Sequence, residues 1–400
     1  MKRVVVFMLA VCIGLSSAAI AETRTIGLLN EFERTSFWKE HPNVKRKNIR
    51  YNWRNGMDNV FLNTKGVDVL SDYTDNIDLE ALVGSGMLAD LSQSEKIRQA
   101  VSRMQPDVRQ LITDEKGHIY ALPLGLSTQG VYWMRDAWKA AGFTEDDVPQ
   151  SYTELLDFLE AWLARIQAKP EKNLCISSIY RFWDTSSEKG SYVVWLMANL
   201  RCAWEAQQRY AGQAVNYNDP EFIALAERTL TIGRALNKAE PKAKKRTDML
   251  ELFHSELNGN PMEDSERGYS LSQTIPLRIT RDQPALTRAL LDVCIVRKDT
   301  DAYDDVLGLL ESYLEVDRRT FNYALYADTK PFVYNSNQYG NCTITDSWLR
   351  DFQSYTGRLV FYPFKSANEY GAMDDFYLGQ ITAQELALGL NTFIGYADPF

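Results

Sequence analysis

Two hydrophobic rhythms divide this sequence. Short apolar runs bounded by polar turns come first. Thr25-Ile26-Gly27-Leu28-Leu29 and Val67-Asp68-Val69-Leu70-Ser71 have the length and composition of buried strands. Asp72 to Asn76 is the polar loop expected after the second. A turn at Asp114-Glu115-Lys116-Gly117 leads to Ile119–Pro123, and Gly130–Met134 follows as a further strand. Helical spacing then takes over. Leu155, Phe158, Leu159, Trp162, Leu163 and Ile166 recur at three- and four-residue intervals. Ser151 with Glu154 forms a capping pattern before them, and Pro170 closes the segment. Helices are also predicted over Asp78–Val83, Pro106–Thr113, Asp219–Ala235, Thr300–Leu314 and Thr382–Phe393. Early strands alternating with helices predict an α/β protein, and the helix-rich remainder predicts a second lobe.

The first residues read as an export signal. Lys2 and Arg3 precede the apolar run Val4–Leu15, which is too short to span a bilayer. Ser16-Ser17-Ala18-Ala19-Ile20-Ala21 ends in a small-x-small pattern, so cleavage is expected after Ala21. Lipidation at Cys12 is disfavoured, because Val11 is not small and a cut there would halve the apolar run. No later stretch has the length and apolarity of a membrane span, so an exported, soluble, periplasmic protein is expected. Cys175, Cys202, Cys294 and Cys342 survive cleavage. Their spacing matches no zinc pattern and leaves any disulfide pairing open.

Composition narrows the partners. A protein of 400 residues can bury a sizeable core, and length alone suggests two or three domains. The net charge of −9 argues against nucleic acid, which selects a basic excess. The mature form, without Lys2 and Arg3, is more acidic still. Lys242–Arg246 is a basic run in a segment read as a solvated loop.

Catalytic patterns are sparse. His41, His118 and His254 are scattered, with His118 placed in a solvent-facing turn. No nucleophile elbow or phosphate loop occurs. Ser186-Ser187-Glu188-Lys189 fits S-x-x-K at two fixed positions but lacks the companion motifs. Carboxylate pairs such as Asp146-Asp147 and Asp374-Asp375 read as solvated faces and caps, since glycosidic chemistry needs two carboxylates at a set spatial separation. No catalytic residue, metal ligand or cofactor is therefore assigned. What remains is aromatics beside carboxylates in loops, as at Glu31-Phe32, Asp72-Tyr73-Thr74-Asp75, Phe182-Trp183-Asp184 and Asn368-Glu369-Tyr370. A sugar presents an apolar face for a ring and a hydroxyl rim for a carboxylate, so such pairs suit carbohydrate recognition.

An ordered series of motifs carries a resemblance. Val67-Asp68-Val69-Leu70-Ser71 is followed by Gly86-Met87-Leu88-Ala89-Asp90-Leu91. Then come Gly117-His118-Ile119-Tyr120-Ala121-Leu122-Pro123 and Val131-Tyr132-Trp133-Met134-Arg135-Asp136. Ala140-Ala141-Gly142-Phe143 runs on to Pro149-Gln150-Ser151-Tyr152-Thr153-Glu154-Leu155, and Gly379-Gln380-Ile381-Thr382-Ala383-Gln384-Glu385 closes the set. Together these resemble the extracellular solute-binding proteins of ABC importers, family 1, the maltose-binding type. Trp133-Met134 departs from that family's Tyr-Asn. Its central G-x-A-A-M segment is not recognisable between Leu250 and Leu290.

The resemblance implies a two-lobe α/β periplasmic binding fold, with hinge-linked lobes and a ligand cleft between them. It places the signal peptide at 1–21, lobe one at 22–127 with 277–328, and lobe two at 128–276 with 329–400. The first crossing is expected near Gly125–Gly130. Ligand contacts are expected from Glu31, Asp72, Tyr73 and Asp75, from Ser127 at the crossing, and from Trp183, Asp184 and Tyr370. The implied role is capture of a sugar or oligosaccharide, by a monomer, for ABC permease subunits. A ligand sensor for a membrane receptor is the alternative within that fold, and an exported carbohydrate-active enzyme is the alternative outside it.

Overall fold

A computed structural model describes residues 23–29, 35–50, 57–74, 76–170, 173–176, 191–240, 250–256, 263–264, 269–274, 276–315, 325–336, 340–344, 358–361 and 375–395. The early strands are β1 (Arg24–Leu29), β2 (Val44–Ile49), β3 (Val69–Tyr73) and β4 (Ala121–Met134). They are followed by β5 (Leu174–Cys175), β6 (Leu250–Glu251), β7 (Phe253–Glu256), β8 (Glu263–Asp264) and β9 (Tyr269–Thr274). The last are β10 (Thr287–Val296), β11 (Phe332–Ser336), β12 (Gly340–Ile344) and β13 (Leu359–Val360). The main helices are α1 (Met57–Asn63), α2 (Leu79–Gly84), α3 (Glu95–Ser102), α4 (Pro106–Ile112) and α5 (Arg135–Ala141). They continue as α6 (Tyr152–Ala168), α7 (Ser191–Tyr210), α8 (Pro220–Ala239), α9 (Tyr303–Leu314) and α10 (Ala383–Gly395).

Two hydrophobic cores organise these elements. The first surrounds the sheet β2-β1-β3-β10-β4, in which β1, β2 and β3 are parallel. Here β10 runs antiparallel to β3 on one side and to β4 on the other. Its sequence TRALLDVCIV is buried at nine positions of ten, as a strand covered on both faces must be. The second core gathers α5, α6, α7, α8 and α10 around β7, and it is rich in aromatics. Trp138 stacks on Phe158 at 4.9 Å and donates its Nε1–H to the Leu252 carbonyl at 2.9 Å. Trp133 meets Trp138 edge-on at 6.0 Å, so the Trp133-Met134 departure from the family pattern is absorbed by packing.

β4 links the two cores. Its residues up to Leu126 belong to the first, and Val131 onward belong to the second. Its hydrogen-bonding partner changes from β10 at Gln129, paired with Arg288, to β7 at Gly130, paired with Glu256. The sequence pattern breaks this segment into two strands because of Pro123, Gly125 and Gly130; the structure keeps one strand of 14 residues. A bulge makes this possible. The pairing with β10 steps from Gly125 to Pro123 between Asp292 and Val293, so Leu124 is the extra residue. On the return path Leu277, Ile279 and Leu286 pack in the second core, and from Ala289 the backbone rejoins the first.

Local signals set the helix ends. Asp78 caps α2 by accepting from the Ala81 N–H at 3.0 Å. Ser151 accepts from the Glu154 N–H at 3.3 Å. Glu154 accepts in turn from the Gln150 N–H at 2.8 Å, one residue earlier than a standard capping box. Arg281 grips the same carboxylate at 2.6 and 2.8 Å and holds its pKa below the usual range.

The turn before β4 centres on Asp114, and Gly117 takes a left-handed φ of 82° there. Asp114 Oδ1 accepts from the N–H groups of Lys116 and His118, both at 2.9 Å. Oδ2 meets His118 Nδ1 at 2.8 Å and accepts from the Tyr120 hydroxyl at 3.1 Å. His118 is thus tied into the turn. Desolvation pushes the Asp114 pKa up, but the hydrogen bonds from His118, Tyr120 and Lys116 together outweigh it and bring it to about 2. A carboxyl depressed from 3.8 contributes stability that is present above pH 3.8 and is lost as pH falls through about 2. Asp114→Asn should therefore flatten the acid limb of the stability curve in that window. Denaturant unfolding on a pH series checks this, and an unchanged acid limb would refute it.

Candidate functional site

In open α/β sheets, ligands bind beyond the carboxyl ends of the strands. In the first core that end brings together Tyr73 of β3, the middle of β10 and the Gly125–Ser127 stretch of β4. Tyr73 pairs with Asp292, which pairs on its other side with Gly125. Leu291 pairs with Leu126, and the backbone of Ser127 pairs with Leu290. Thr74 closes the junction. Its N–H donates to the Leu291 carbonyl at 2.9 Å, and its Oγ1 accepts from the Leu291 N–H at 3.0 Å.

Asp72 is 7% exposed. Its Oδ1 accepts from the Tyr73 N–H at 2.7 Å and from Asn76 Nδ2 at 2.9 Å. One oxygen of this carboxylate therefore fixes the turn that follows β3. Tyr73 is 44% exposed, among the most open large apolar residues described. Asp72 and Tyr73 both belong to β3, where the sequence pattern assigns them to a loop; the strand runs two residues further because β10 pairs with both.

Alternation along β10 adds residues that the sequence pattern does not reveal as site residues. Ala289, Leu291 and Val293 point into the first core, so Arg288, Leu290 and Asp292 share the opposite side. Arg288 is 2% exposed and Asp292 is half-buried. Tyr73, opposite Asp292, lies on the same side. A carboxylate and an exposed phenol thus stand side by side at the end of β3, while Arg288 lies four residues further along β10, buried where β10 pairs with Gln129 of β4 and Val360 of β13. The signal available in the sequence is two charges, Arg288 and Asp292, inside an otherwise apolar run. Asp292 and Tyr73 offer chemistry that can take up a polar solute, a carboxylate for hydrogen bonds and a ring face for stacking.

Of the residues expected at the site, the structure brings together Asp72, Tyr73 and the backbone of Ser127. Glu31, Asp75, Trp183, Asp184 and Tyr370 lie outside the described residues, as do Lys242–Arg246 and Ser186–Lys189. Among the described residues no three His, Cys, Asp or Glu come together as a metal site, and no helix is long and apolar enough to cross a membrane.

Comparison with known proteins bears on this geometry. A sequence-family model described as bacterial extracellular solute-binding protein matches residues 34–236, just over half of the sequence. No curated protein sequence matches. Among solved structures, the raffinose complex of the solute-binding protein RafE is similar, with a TM-score of 0.53 and 18% identity over 93% of this protein and 98% of that one. The substrate-binding protein Lmo0181 from Listeria monocytogenes, in complex with cycloalternan, has a TM-score of 0.53 and 12% identity over 94% of this protein and 99% of that one. A solute-binding protein from Agrobacterium vitis with bound D-mannitol has a TM-score of 0.55 and 12% identity, over 94% and 97% respectively. At these identities the likeness establishes the fold, the two-lobe α/β architecture of solute-binding proteins.

Proposed function

The protein belongs to the bacterial extracellular solute-binding proteins, and from that premise we propose that it captures a sugar or oligosaccharide and delivers it to an ABC importer. The observation that carries this reading is the pairing of exposed Tyr73 with Asp292 beside the β4–β10 crossing. It offers a ring and a carboxylate on the strands that lead out of the first core. The ligands of the similar structures, raffinose, cycloalternan and D-mannitol, are all polyhydroxylated, which suits such a surface.

In this reading the cleft lies between the lobes. Glu31, Tyr73 and Asp75 meet the ligand from lobe one, Ser127 from the crossing, and Trp183, Asp184 and Tyr370 from lobe two. Asp72 sets Tyr73 in place through the turn it fixes. The lobes are 22–127 with 277–328 and 128–276 with 329–400; core membership changes between 126 and 131, between 286 and 289, and again after Leu325 and before Phe376. They close around the ligand by bending at these three crossings. The protein acts in the periplasm as a monomer after losing residues 1–21. It binds without converting, and its partners are the ligand and the permease subunits that receive it.

A thermal-shift panel of sugars, oligosaccharides and sugar alcohols tests the reading, because a ligand bound only to the folded state raises the melting temperature. Compaction in small-angle scattering, with the recovered ligand chemically unchanged, supports it. Turnover of the ligand overturns it. Trp183→Ala should weaken binding by ~1–3 kcal/mol, the range for an anchoring aromatic, with little change in melting temperature. Calorimetric titration of the best ligand reads this, and unaltered affinity removes Trp183 from the site.

A further inference from the structure

One edge of the first sheet is strongly basic, although the protein is acidic. Residues 35–50 carry five cations, Lys39, Lys45, Arg46, Lys47 and Arg50, against one acid, Glu40, in a protein of net charge −9. Among the described residues β2 ends the sheet and pairs only with β1. Lys45, Arg46 and Lys47 follow one another along it, and all three are exposed. Alternation sends Lys45 and Lys47 to one face of the strand and Arg46 to the other. With no described strand beyond β2, both sets can reach round to the same outer edge. Lys39, in the helical turn before β2, and Arg50, just after it, are exposed as well.

No carboxylate neutralises this row. Arg24, at the start of β1, is held by Asp305 at 2.9 Å, but among the described residues none of the five cations forms an ion pair. Arg46 Nε donates instead to Asn48 Oδ1 at 2.6 Å, which lays the guanidinium along the strand. The positive surface also continues sideways. Lys47 Nζ lies 3.6 Å from where a Cβ on Gly66 would stand, and Lys47 and Lys65 line one pocket of about 570 Å³. Two carboxylates of that pocket are occupied: Asp68 accepts from Thr300 Oγ1 at 2.7 Å, and Asp299 from Arg297 at 2.8 and 2.7 Å. Asp301 is its remaining acid. Blunting an edge against unwanted pairing takes few charges, and either sign serves. Here one sign runs the whole strand and past both its ends. Six residues at ~3.3 Å each make a row ~20 Å long, which suits an extended anionic plane better than one small anion.

We propose that the β2 edge of the first lobe is a docking surface for an anionic phospholipid leaflet, with Lys45, Arg46 and Lys47 as its centre. This rests on the reading that the protein works beside a membrane importer. Basic residues near such a leaflet are attracted to it within about a screening length of ~8–10 Å. β2 lies at the far side of the sheet from β10 and β4, with β1 and β3 between. A lobe held by β2 therefore leaves the crossings clear to bend and Tyr73 clear to meet ligand. Docking confines the protein to the surface in which its permease is embedded, so encounter becomes a search over a plane.

The test uses the exported form, beginning at Glu22, so that the apolar leader does not itself bind lipid. Vesicles of equal parts phosphatidylcholine and phosphatidylglycerol should carry the protein down on centrifugation at low salt, and vesicles of phosphatidylcholine alone should not. High salt should release it, because exposed charges are screened. Lys45→Gln, Arg46→Gln and Lys47→Gln together should weaken binding about a hundredfold, from about fivefold for each cation near an anionic leaflet. The reversed set, Lys45→Glu, Arg46→Glu and Lys47→Glu, keeps the edge charged against pairing and should abolish binding. Melting temperature and sugar affinity should stay unchanged in both. The same charge removed from exposed positions beside the second core, by Lys139→Gln, Lys169→Gln and Lys238→Gln, should leave binding nearly unaltered. Equal loss in the two neutralised sets overturns the proposal, as does equal sedimentation with both kinds of vesicle. No sedimentation with either also overturns it, and turns the edge toward an acidic protein surface. If lipid binding follows β2 but no sugar of the panel binds, the docking surface stands and the sugar reading fails. If a sugar binds and the vesicles do not, the docking surface fails and the sugar reading stands.

Discussion

Replacing Gly27 by alanine is expected to keep the first core from closing. Gly27 sits in β1, between β2 and the segment entering β3. A Cβ there would lie 1.8 Å from the Gly66 carbonyl oxygen, 2.8 Å from its carbon and 3.3 Å from Asp68 Oδ2. The first two are backbone atoms and cannot swing away as the tip of a flexible residue can. Nor can the segment retreat freely. The Gly27 N–H donates to Asp68 Oδ2 at 2.6 Å, and the Asp68 N–H donates back to Gly27 O at 2.8 Å. Relief of the clash breaks both bonds and shifts the start of β3. Overpacking against fixed backbone costs ~3 kcal/mol or more, at the severe end of single substitutions. Gly84→Ala is the control. It lies in α2 with nothing within 4 Å of its added carbon, so it should be neutral or stabilising by up to ~1 kcal/mol. Denaturant unfolding of the two variants measures the contrast, and equal stabilities would refute the packing argument.

Glu205→Ala should be nearly as damaging, for an electrostatic reason. Arg201 and Glu205 stand one turn apart on α7, each 5% exposed, with Arg201 Nη2 donating to Glu205 Oε1 at 3.0 Å. Tyr217, fully buried, donates its hydroxyl to the same carboxylate. Its backbone N–H reaches Asn391 Oδ1 of α10 at 2.8 Å. Burial, followed by the charge of Glu205, holds the Tyr217 pKa well above its usual value, so the phenol remains a donor. Removing Glu205 takes away the buried carboxylate to which Arg201 and Tyr217 both donate, and losing one partner of a buried pair costs ~3–5 kcal/mol. The double replacement Arg201→Met with Glu205→Leu should recover most of that loss, because both buried charges are then replaced by apolar groups of similar volume. A double variant as unstable as the single one would contradict this account.

Much of the fold is legible in the sequence because its signals are local. The limits of α6 follow from Ser151 and Pro170, and those of α2 from Asp78 and Gly84. The elements that escape such reading owe their form to tertiary burial. α7 (SYVVWLMANLRCAWEAQQRY) is apolar on most sides, as a helix packed on several neighbours must be, and so shows little periodicity. β10 has the same difficulty in strand form. The edge strand β2 carries Lys45, Arg46 and Lys47, and reads as a polar segment until its pairing with β1 is seen. Of the site, Asp72 and Tyr73 can be placed because they follow a buried run directly. Arg288 and Asp292 cannot. Their role depends on β10 lying between β3 and β4, and Leu291 meets Thr74 across 217 residues of sequence.

That insertion of β10 also orders the events of folding. The second core, from Val131 to Leu286 together with α10, is mostly one continuous stretch, whereas the first is split around it. As the polypeptide emerges from its N-terminus, β3 and β4 are made early but are not neighbours. The gap between them is filled only by residues 287–296. Until those arrive, two apolar strand edges stand open, and closing them carries the entropy of a very long loop. The first lobe to be synthesised is thus the last to be completed. A polypeptide released before residue 296 would expose unpaired strand edges, which are templates for aggregation, and so would need to be shielded until its own later segment reaches it.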